Sequence, residues 1–141
     1  MDGTENPSAL IKKLTQIMGV EFDRRLKVYH ISLAQWAVLR HLWEQEGRSQ
    51  VELQERLGLE AASVTGLLQR MIRAGLVERK PDPADKRVQR VFLTEHGRAL
   101  EPVVKQLAAE VNAHALAGFT ADEQVFLMRL LTRMLQNLED E

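Results

Sequence analysis

The residues best suited to contact a nucleic acid lie between positions 82 and 94, in the segment DPADKRVQRVFLT. A proline-broken, charged turn that contains Asp85, Lys86 and Arg87 precedes a short run of β-branched and aromatic residues. Residues 76–80 before the turn also combine apolar and basic side chains, and two such runs around a polar loop are typical of a β-hairpin. An arginine near the tip of a hairpin can enter a narrow minor groove, where negative potential is concentrated. We therefore interpret the hairpin as a wing that contacts DNA.

Asp85 lies two residues before Arg87 in this turn. Phosphates would repel an unpaired carboxylate at a wing tip. We therefore expect Asp85 to orient the guanidinium of Arg87 as a bidentate partner. The alternative is a turn aspartate that bonds to its own backbone while Arg87 is solvated.

A helix-turn-helix pattern precedes the wing. Ser49 and Glu52 form a possible capping box at the start of one short helix, and Gly58 ends that helix. A second helix is expected over about residues 61–74. Its expected buried stripe consists of Val64, Leu67, Leu68, Met71 and Ile72.

The opposite face of the second helix is a candidate for contact with the major groove. In a helix-turn-helix, residues early in this helix reach base edges. Small side chains permit close approach there, and hydroxyl and amide groups can bond to bases or phosphates. Ordinary surface polarity is the alternative for the hydroxyl residues. The expected contacts on this helix are Ala62, Ser63, Thr65, Gln69, Arg70 and Arg73.

Ser49 and Gln50, at the start of the first short helix, are further candidates for DNA contact. Ser49 has the right residue type to cap the helix, and a capped helix N-terminus can also bind a phosphate. The sequence leaves open whether Ser49 does both.

The distribution of charge supports a local phosphate-facing surface. The net charge of −1 argues against an indiscriminate binder of polyanions. Residues 61–98, however, carry eight basic and four acidic side chains, whereas residues 101–141 carry three basic and seven acidic ones. A basic centre in a neutral-to-acidic chain favours contact with phosphates. Chance clustering of solvated charges is the alternative.

Helices on both sides of this centre must position it. Asn6-Pro7 can open a first helix, and Ser32 with Gln35 can cap a second one that ends at Gly47. After the wing, Thr94 can cap a long helix to about residue 117, in which Pro102 should introduce a kink or delay the regular start. A third capping box opens an amphipathic last helix.

The predicted fold class is mainly α: an α+β winged helix-turn-helix with a helical dimerisation region from the N- and C-terminal helices. We predict dimerisation helices in residues 1–31 and 95–141 around a DNA-binding domain in residues 32–94. The outer helices are more apolar than the small central core requires, which favours pairing with a second copy over folding back on their own chain. The residues expected between two copies are Leu10, Leu14, Ile17, Leu127, Leu130, Leu131, Met134 and Leu138.

Composition disfavours catalysis, metal binding and membrane insertion. The four histidines lack the spacing of metal ligands, and no glycine-rich phosphate loop is present. The chain has no cysteine, which excludes disulfides and thiolate metal sites. No apolar run approaches the roughly 18 residues of a membrane span, and the acidic N-terminus is unlike a signal peptide. We expect no enzyme, no cofactor, no metal, no membrane partner and a cytoplasmic location.

The chain resembles the MarR family of bacterial and archaeal transcription regulators, and its SlyA-like branch in particular. The run Asp85-x-Arg87, followed after five residues by Leu93-Thr94, is the most specific part of the resemblance. The other residues that carry it are Leu53, Leu57-Gly58-Leu59, Val64-Thr65, Leu68, Met71, Gly75-Leu76-Val77, Arg79 and Gly97.

This resemblance implies a triangular winged-helix homodimer with interlocked terminal helices, bound to an inverted-repeat operator in double-stranded DNA. It also implies that a small anionic aromatic compound weakens DNA binding. Gly66 stands where SlyA-like proteins have an arginine, so their operator sequence cannot be carried over. Recognition of DNA shape and contacts from the wing therefore become more important than a base contact at this position.

Trp36 and Arg40 lie four residues apart on one helix face, and Gln16 of the first helix is expected to approach them. An aromatic wall beside a guanidinium suits a flat carboxylate of the salicylate type. The resemblance points to the same region, although Arg40 replaces a histidine and Gln16 replaces an arginine of the SlyA-like proteins. The alternative is a core Trp36 with a solvated or salt-bridged Arg40.

Together these features predict a homodimeric DNA-binding transcriptional regulator, a repressor, that recognises a pseudo-palindromic operator. The alternative is a winged-helix protein-interaction module that does not touch DNA, but such a module has no need of a basic centre or of Arg87. The sequence does not specify the operator, the regulated genes or the ligand, and it leaves activation open as the alternative to repression.

Overall fold

The computed structural model describes residues 6–140, which form six α-helices and three short β-strands. The elements are α1 (Pro7–Lys27), α2 (Leu33–Glu44), β1 (Arg48–Ser49), α3 (Gln50–Leu57), α4 (Ala61–Arg73), β2 (Val77–Pro81), β3 (Gln89–Leu93), α5 (Glu95–Ala115) and α6 (Ala121–Glu139). This order confirms the mainly helical, winged helix-turn-helix class. The strand β1 was not predicted, and the outer bounds of the first and last expected domains lie outside the described residues.

Short-range capping bonds explain where most helices begin. The Ser32 hydroxyl accepts a hydrogen bond from the Gln35 N–H at 3.1 Å, and the Gln35 side chain accepts one from the Ser32 N–H at 3.1 Å. Thr120 starts α6 with the same reciprocal arrangement, and Thr94 caps α5. These bonds span three residues, so the sequence could predict them.

The helix α5 begins at Glu95 and continues through Pro102. The delayed start that we considered for this proline is therefore not observed. Pro102 is exposed, so its ring meets solvent rather than the core, and the missing N–H costs the helix a backbone hydrogen bond.

The three strands form an antiparallel sheet in the order β1-β3-β2. Val77 lies opposite Leu93 in one pair, and Arg48 lies opposite Val91 in the other. Residues 82–88 connect β2 to β3 and form the wing loop, which β1 braces at the base.

A single cluster of buried residues joins the helix-turn-helix to the sheet and to α5. The predicted stripe of α4 lies in this cluster except for Ile72, which is 37% exposed. That expectation was wrong: Ile72 lies at the edge of the buried stripe, one residue before α4 ends at Arg73. The cluster includes Leu39, Leu42, Leu53, Val64, Leu67, Leu68, Met71, Val77, Val91, Leu93 and Leu100.

The outermost helices leave apolar side chains exposed in a single copy. Only Leu26 of α1 is fully buried, and α6 buries no residue at all within the described part of the chain. Folding of α6 back onto its own winged helix is therefore not observed. Large apolar side chains that remain exposed on these two helices include Leu10, Leu14, Ile17, Val20, Phe126, Leu131, Met134 and Leu138.

Candidate nucleic-acid interface

The outward face of α4 has the composition expected of a recognition surface. Ser63, Gln69 and the two arginines of this helix are exposed, whereas Thr65 is half-buried. The first turn consists of Ala61, Ala62 and Ser63, so the start of the helix offers little steric hindrance to a groove. The predicted buried stripe positions this face because it anchors the opposite side of α4 in the core.

Gly66 leaves a notch in the middle of this face, and the side chain of Arg70 covers it. A Cβ atom at Gly66 would meet only the Arg70 guanidinium, with Nη1 at 3.5 Å. Arg70 thus folds back by one helical turn toward the position where SlyA-like proteins carry an arginine.

Thr65 is held by a side chain from the preceding helix. The Gln50 amide Nε2 donates to the Thr65 hydroxyl oxygen at 2.7 Å. Both residues are half-buried, and Gln50 is the first residue of α3. This bond connects α3 to α4, and no sequence pattern indicated it because the partners are fifteen residues apart.

Ser49 caps α3 by accepting a hydrogen bond from the Glu52 N–H at 3.1 Å. Only this half of the predicted capping box is formed, and the Glu52 carboxylate lies 3.5 Å from Arg48 instead. An open cleft of about 290 Å³ separates this helix start from the wing. Its lining comprises Ser49, Gln50, Val51, Gln54, Arg87, Val88 and Gln89. The two predicted parts of the interface, the start of α3 and the wing arginine, are therefore neighbours across one cleft.

Arg48 does not belong to this phosphate-facing surface. Its side chain is 2% exposed, and Nε donates to the carbonyl oxygen of His41 at 3.0 Å. Its guanidinium also lies 3.5 Å from Glu52 and 3.8 Å from Glu44. Arg48 therefore links α2, β1 and α3 internally.

Arg87 is oriented by Asp85 at the wing. Its Nε and Nη2 atoms donate to the two carboxylate oxygens at 3.0 and 3.1 Å, while 91% of the Arg87 side chain remains exposed. The backbone N–H of Arg87 also donates to Asp85 at 3.1 Å, so the bidentate pair and the turn bond coexist. These bonds from Arg87 hold the pKa of the Asp85 carboxyl below its ordinary value.

Asp82 fixes the base of the wing loop, a role that the sequence did not reveal. Its carboxylate accepts from the backbone N–H groups of Ala84 and Asp85 at 2.7 and 3.3 Å and from Arg90 Nε at 2.5 Å. Arg90 Nη1 in turn donates to the carbonyl oxygen of Gly47 at 2.8 Å. The bond from Arg90 is the main cause that lowers the pKa of Asp82. The wing is thus tied to the turn before β1.

Comparisons with known proteins agree with this geometry. Residues 31–88 match the model of the MarR family. The chain is 32% identical over 143 residues to the HTH-type transcriptional regulator TtmR of Methylorubrum extorquens, a match that covers 96% of this chain and 72% of that protein. The chain belongs to the MarR family. The family consists of DNA-binding transcriptional regulators with a winged helix-turn-helix.

Solved structures show the same fold for this MarR-family chain. Wild-type apo MarR from E. coli superposes with a TM-score of 0.83 at 30% identity, over 92% of this chain and 96% of that chain. A mutant of MarR from E. coli in complex with operator DNA superposes with a TM-score of 0.71 at 31% identity, over 91% and 92% of the two chains. These relatives are regulators rather than enzymes, which agrees at the family level with the expected non-catalytic role.

Of the three predicted ligand residues, Gln16, Trp36 and Arg40, only Trp36 lines a cavity in this MarR-family chain. Trp36 lines a cavity of about 270 Å³ between α1, α2 and α5. Arg40 lies against the Trp36 ring, 5.0 Å from its centroid, but neither Arg40 nor Gln16 lines the cavity. The other lining residues are Met18, Gly19, Phe22, Leu33, Ala108, Val111 and Asn112. The wall is therefore aromatic and apolar, as expected, without the expected guanidinium.

Residues 6–140 contain neither a cluster of metal-ligating side chains nor a helix of membrane-spanning character. No group of three or more histidine, aspartate or glutamate side chains there could hold a metal ion. No helix in the same described range is long and apolar enough to cross a membrane.

Proposed function

We propose that this MarR-family regulator binds a pseudo-palindromic operator as a homodimer and represses transcription by occupying promoter DNA. The observation that carries the proposal is the placement of Arg87 across one cleft from the start of α3, with α4 exposed beside it. A helix in the major groove and an arginine in the adjacent minor groove require such neighbours.

The residue roles follow from exposure and chemistry. Ala62, Ser63 and Gln69 face base edges, whereas Arg73 meets the phosphate backbone. Arg70, whose guanidinium lies over Gly66, contributes to the same helix surface. The wing contributes Asp85, Lys86 and Arg87, and the start of α3 contributes Ser49, Gln50 and, through Gln50, Thr65.

The exposed apolar faces of α1 and α6 support the homodimer. Residues 1–31 and 95–141 supply these dimerisation helices, and residues 32–94 form the DNA-binding domain. A two-fold dimer would place its two α4 helices one duplex turn apart, about 34–36 Å. We also place the chain in the SlyA-like branch, on the basis of the Asp85-x-Arg87 run with Leu93-Thr94. Because Gly66 replaces an arginine of that branch, its operator sequence differs from theirs.

Selection of bound duplexes from a randomised pool tests this function, together with the mass of the protein in solution. We expect enrichment of a pseudo-palindrome and a mass by light scattering of twice the 16.1 kDa chain. Absence of any enriched duplex would favour the protein-interaction module, and a monomer at micromolar concentration would contradict the dimer.

A second proposed function is release of DNA by a flat aromatic acid, because the cavity beside Trp36 has an aromatic wall. A carboxylate there would have to draw Arg40 away from the indole to which it now lies adjacent. A ligand that prefers the DNA-incompetent state must release DNA in proportion to that preference. Salicylate titrated against the protein–operator complex should release DNA from the wild type and much less from Arg40→Ala. Equal release from both, or none up to millimolar salicylate, would contradict this switch.

A further inference from the structure

We propose that Gln50 is a positioning residue that sets the hydrogen-bond polarity of Thr65, so that Thr65 presents a donor to the operator. The inference rests on the proposed DNA-binding function and specifies how one base pair in each half-site is selected. A donor at this point favours a keto base, guanine or thymine, over an amino base, adenine or cytosine.

The Gln50–Thr65 hydrogen bond determines whether the Thr65 hydroxyl donates or accepts toward a ligand. The amide nitrogen of glutamine carries only donors, whereas a hydroxyl has one donor and two acceptor lone pairs. Because Nε2 of Gln50 donates at 2.7 Å, the Thr65 oxygen is the acceptor in this bond. The hydroxyl hydrogen of Thr65 is then left to donate in another direction.

Within residues 6–140 no protein acceptor takes this hydrogen. A threonine in a helix commonly donates to the carbonyl oxygen four residues earlier. Thr15 does so, with its hydroxyl 2.9 Å from the carbonyl oxygen of Ile11. Thr65 makes no corresponding bond among the described residues, so its donor remains available to a ligand.

The position of Thr65 favours a base edge over a phosphate as the acceptor. Thr65 is the fifth residue of α4, in the part of a recognition helix that faces bases. Ala62 precedes it by three residues, so the helix carries only a methyl side chain one turn before Thr65. The exocyclic oxygens of guanine and thymine are acceptors in the major groove, while adenine and cytosine present amino donors there.

Gln50→Glu tests the polarity because a carboxylate can only accept. Thr65 would then donate to the new carboxylate and present a lone pair to the DNA. In selections from a randomised duplex pool, wild type should enrich a keto base at one symmetry-related pair of positions, by about fivefold per half-site. Gln50→Glu should enrich an amino base at the same positions. Gln50→Leu, which frees the hydroxyl to rotate, should lose the preference there without reversing it.

Gln54→Glu is the matched control. Gln54 lies one turn further along α3 and lines the same cleft, but it makes no bond to Thr65. Its variant adds the same negative charge near DNA, so it should weaken binding and raise salt sensitivity without changing any preferred base. Thermal denaturation should show that the variants remain folded; for Gln50→Glu a carboxylate in the first turn of α3 is favourable.

Three results would overturn the inference while the proposed function stands. In the first, Gln50→Glu prefers the same bases as wild type. In the second, Gln54→Glu shows the same change of base as Gln50→Glu. In the third, Thr65→Val changes the base preference at no position. The last result would mean that Thr65 contacts a phosphate. If wild type enriches no duplex, the proposed DNA-binding function itself fails, and the inference fails with it.

Discussion

Removal of the carboxylate of Asp85 should weaken operator binding, although it removes a negative charge from a surface that faces phosphates. The reason is geometric. Asp85 holds the guanidinium of Arg87 with two hydrogen bonds of 3.0 and 3.1 Å, while Arg87 stays 91% exposed. A side chain that is already ordered in the free protein loses less entropy when it enters a groove.

The size of the effect follows from the cost of ordering Arg87. Ordering one long side chain at an interface lowers affinity by a factor of about 2 to 12. A dimer has two wings, so Asp85→Ala should weaken binding by roughly 5- to 150-fold. Arg87→Ala should weaken it further and reduce the salt slope by about 1.8, since each phosphate that an arginine no longer neutralises reduces the slope by about 0.9.

Fluorescence anisotropy with a selected operator, at several salt concentrations, measures these changes. Asp85→Asn is the first control, because an amide keeps an acceptor for the backbone turn bond but loses the charge; it should fall between wild type and Asp85→Ala. Glu78→Ala is the second control. Glu78 pairs with Lys80 on β2 and makes no bond to Arg87, so removal of its charge should tighten binding. If Asp85→Ala also binds more tightly at every salt concentration, Asp85 does not orient Arg87.

Three further predictions concern stability, each measured by denaturation. Gly66→Ala should raise the free energy of unfolding by about 0.5–1 kcal/mol, because the new Cβ meets only the flexible end of Arg70; a decrease would contradict the open notch. Gly97→Ala should lower it by about 1–3 kcal/mol or more, because a Cβ there would collide with the Leu76 carbonyl oxygen; a neutral result would contradict this close approach. Burial, more than the neighbouring arginines, lowers the pKa of His41 below its ordinary 6.5. As pH falls below about 6.5 the unfolded chain therefore takes up the proton first and stability decreases. His41→Gln should flatten this decrease, and an unchanged pH profile would contradict it.

The sequence predicted those parts of the fold that depend on short-range patterns. Ser32, Thr94 and Thr120 cap helices through bonds to residues three positions ahead, and the spacing of apolar residues placed α4 in the core. Ile72 was wrongly placed in the core because the spacing of apolar residues does not show how far the buried stripe extends along a helix. Two apolar and basic runs around a polar loop predicted the wing, and the helix-turn-helix pattern before it predicted α3 and α4.

Long-range contacts account for what the sequence could not show. Arg90 reaches Gly47 across 43 positions, and Gln50 reaches Thr65 across fifteen. The burial of Arg48 depends on three elements that meet only in the folded chain. The ligand residues illustrate the same limit: helical spacing placed Trp36 and Arg40 on one face, but it could not show that Arg40 would lie against the indole rather than line the cavity.

A hydroxyl-radical footprint on a selected operator tests the central claim most directly, because it reports both the symmetry and the grooves of contact. We predict two protected half-sites whose centres are about ten base pairs apart, related by a two-fold axis. Each half-site should show a separate minor-groove protection on its flank that disappears with Arg87→Ala. A footprint without two-fold symmetry, or one that Arg87→Ala leaves unchanged, would contradict a dimer that binds through both α4 and the wing.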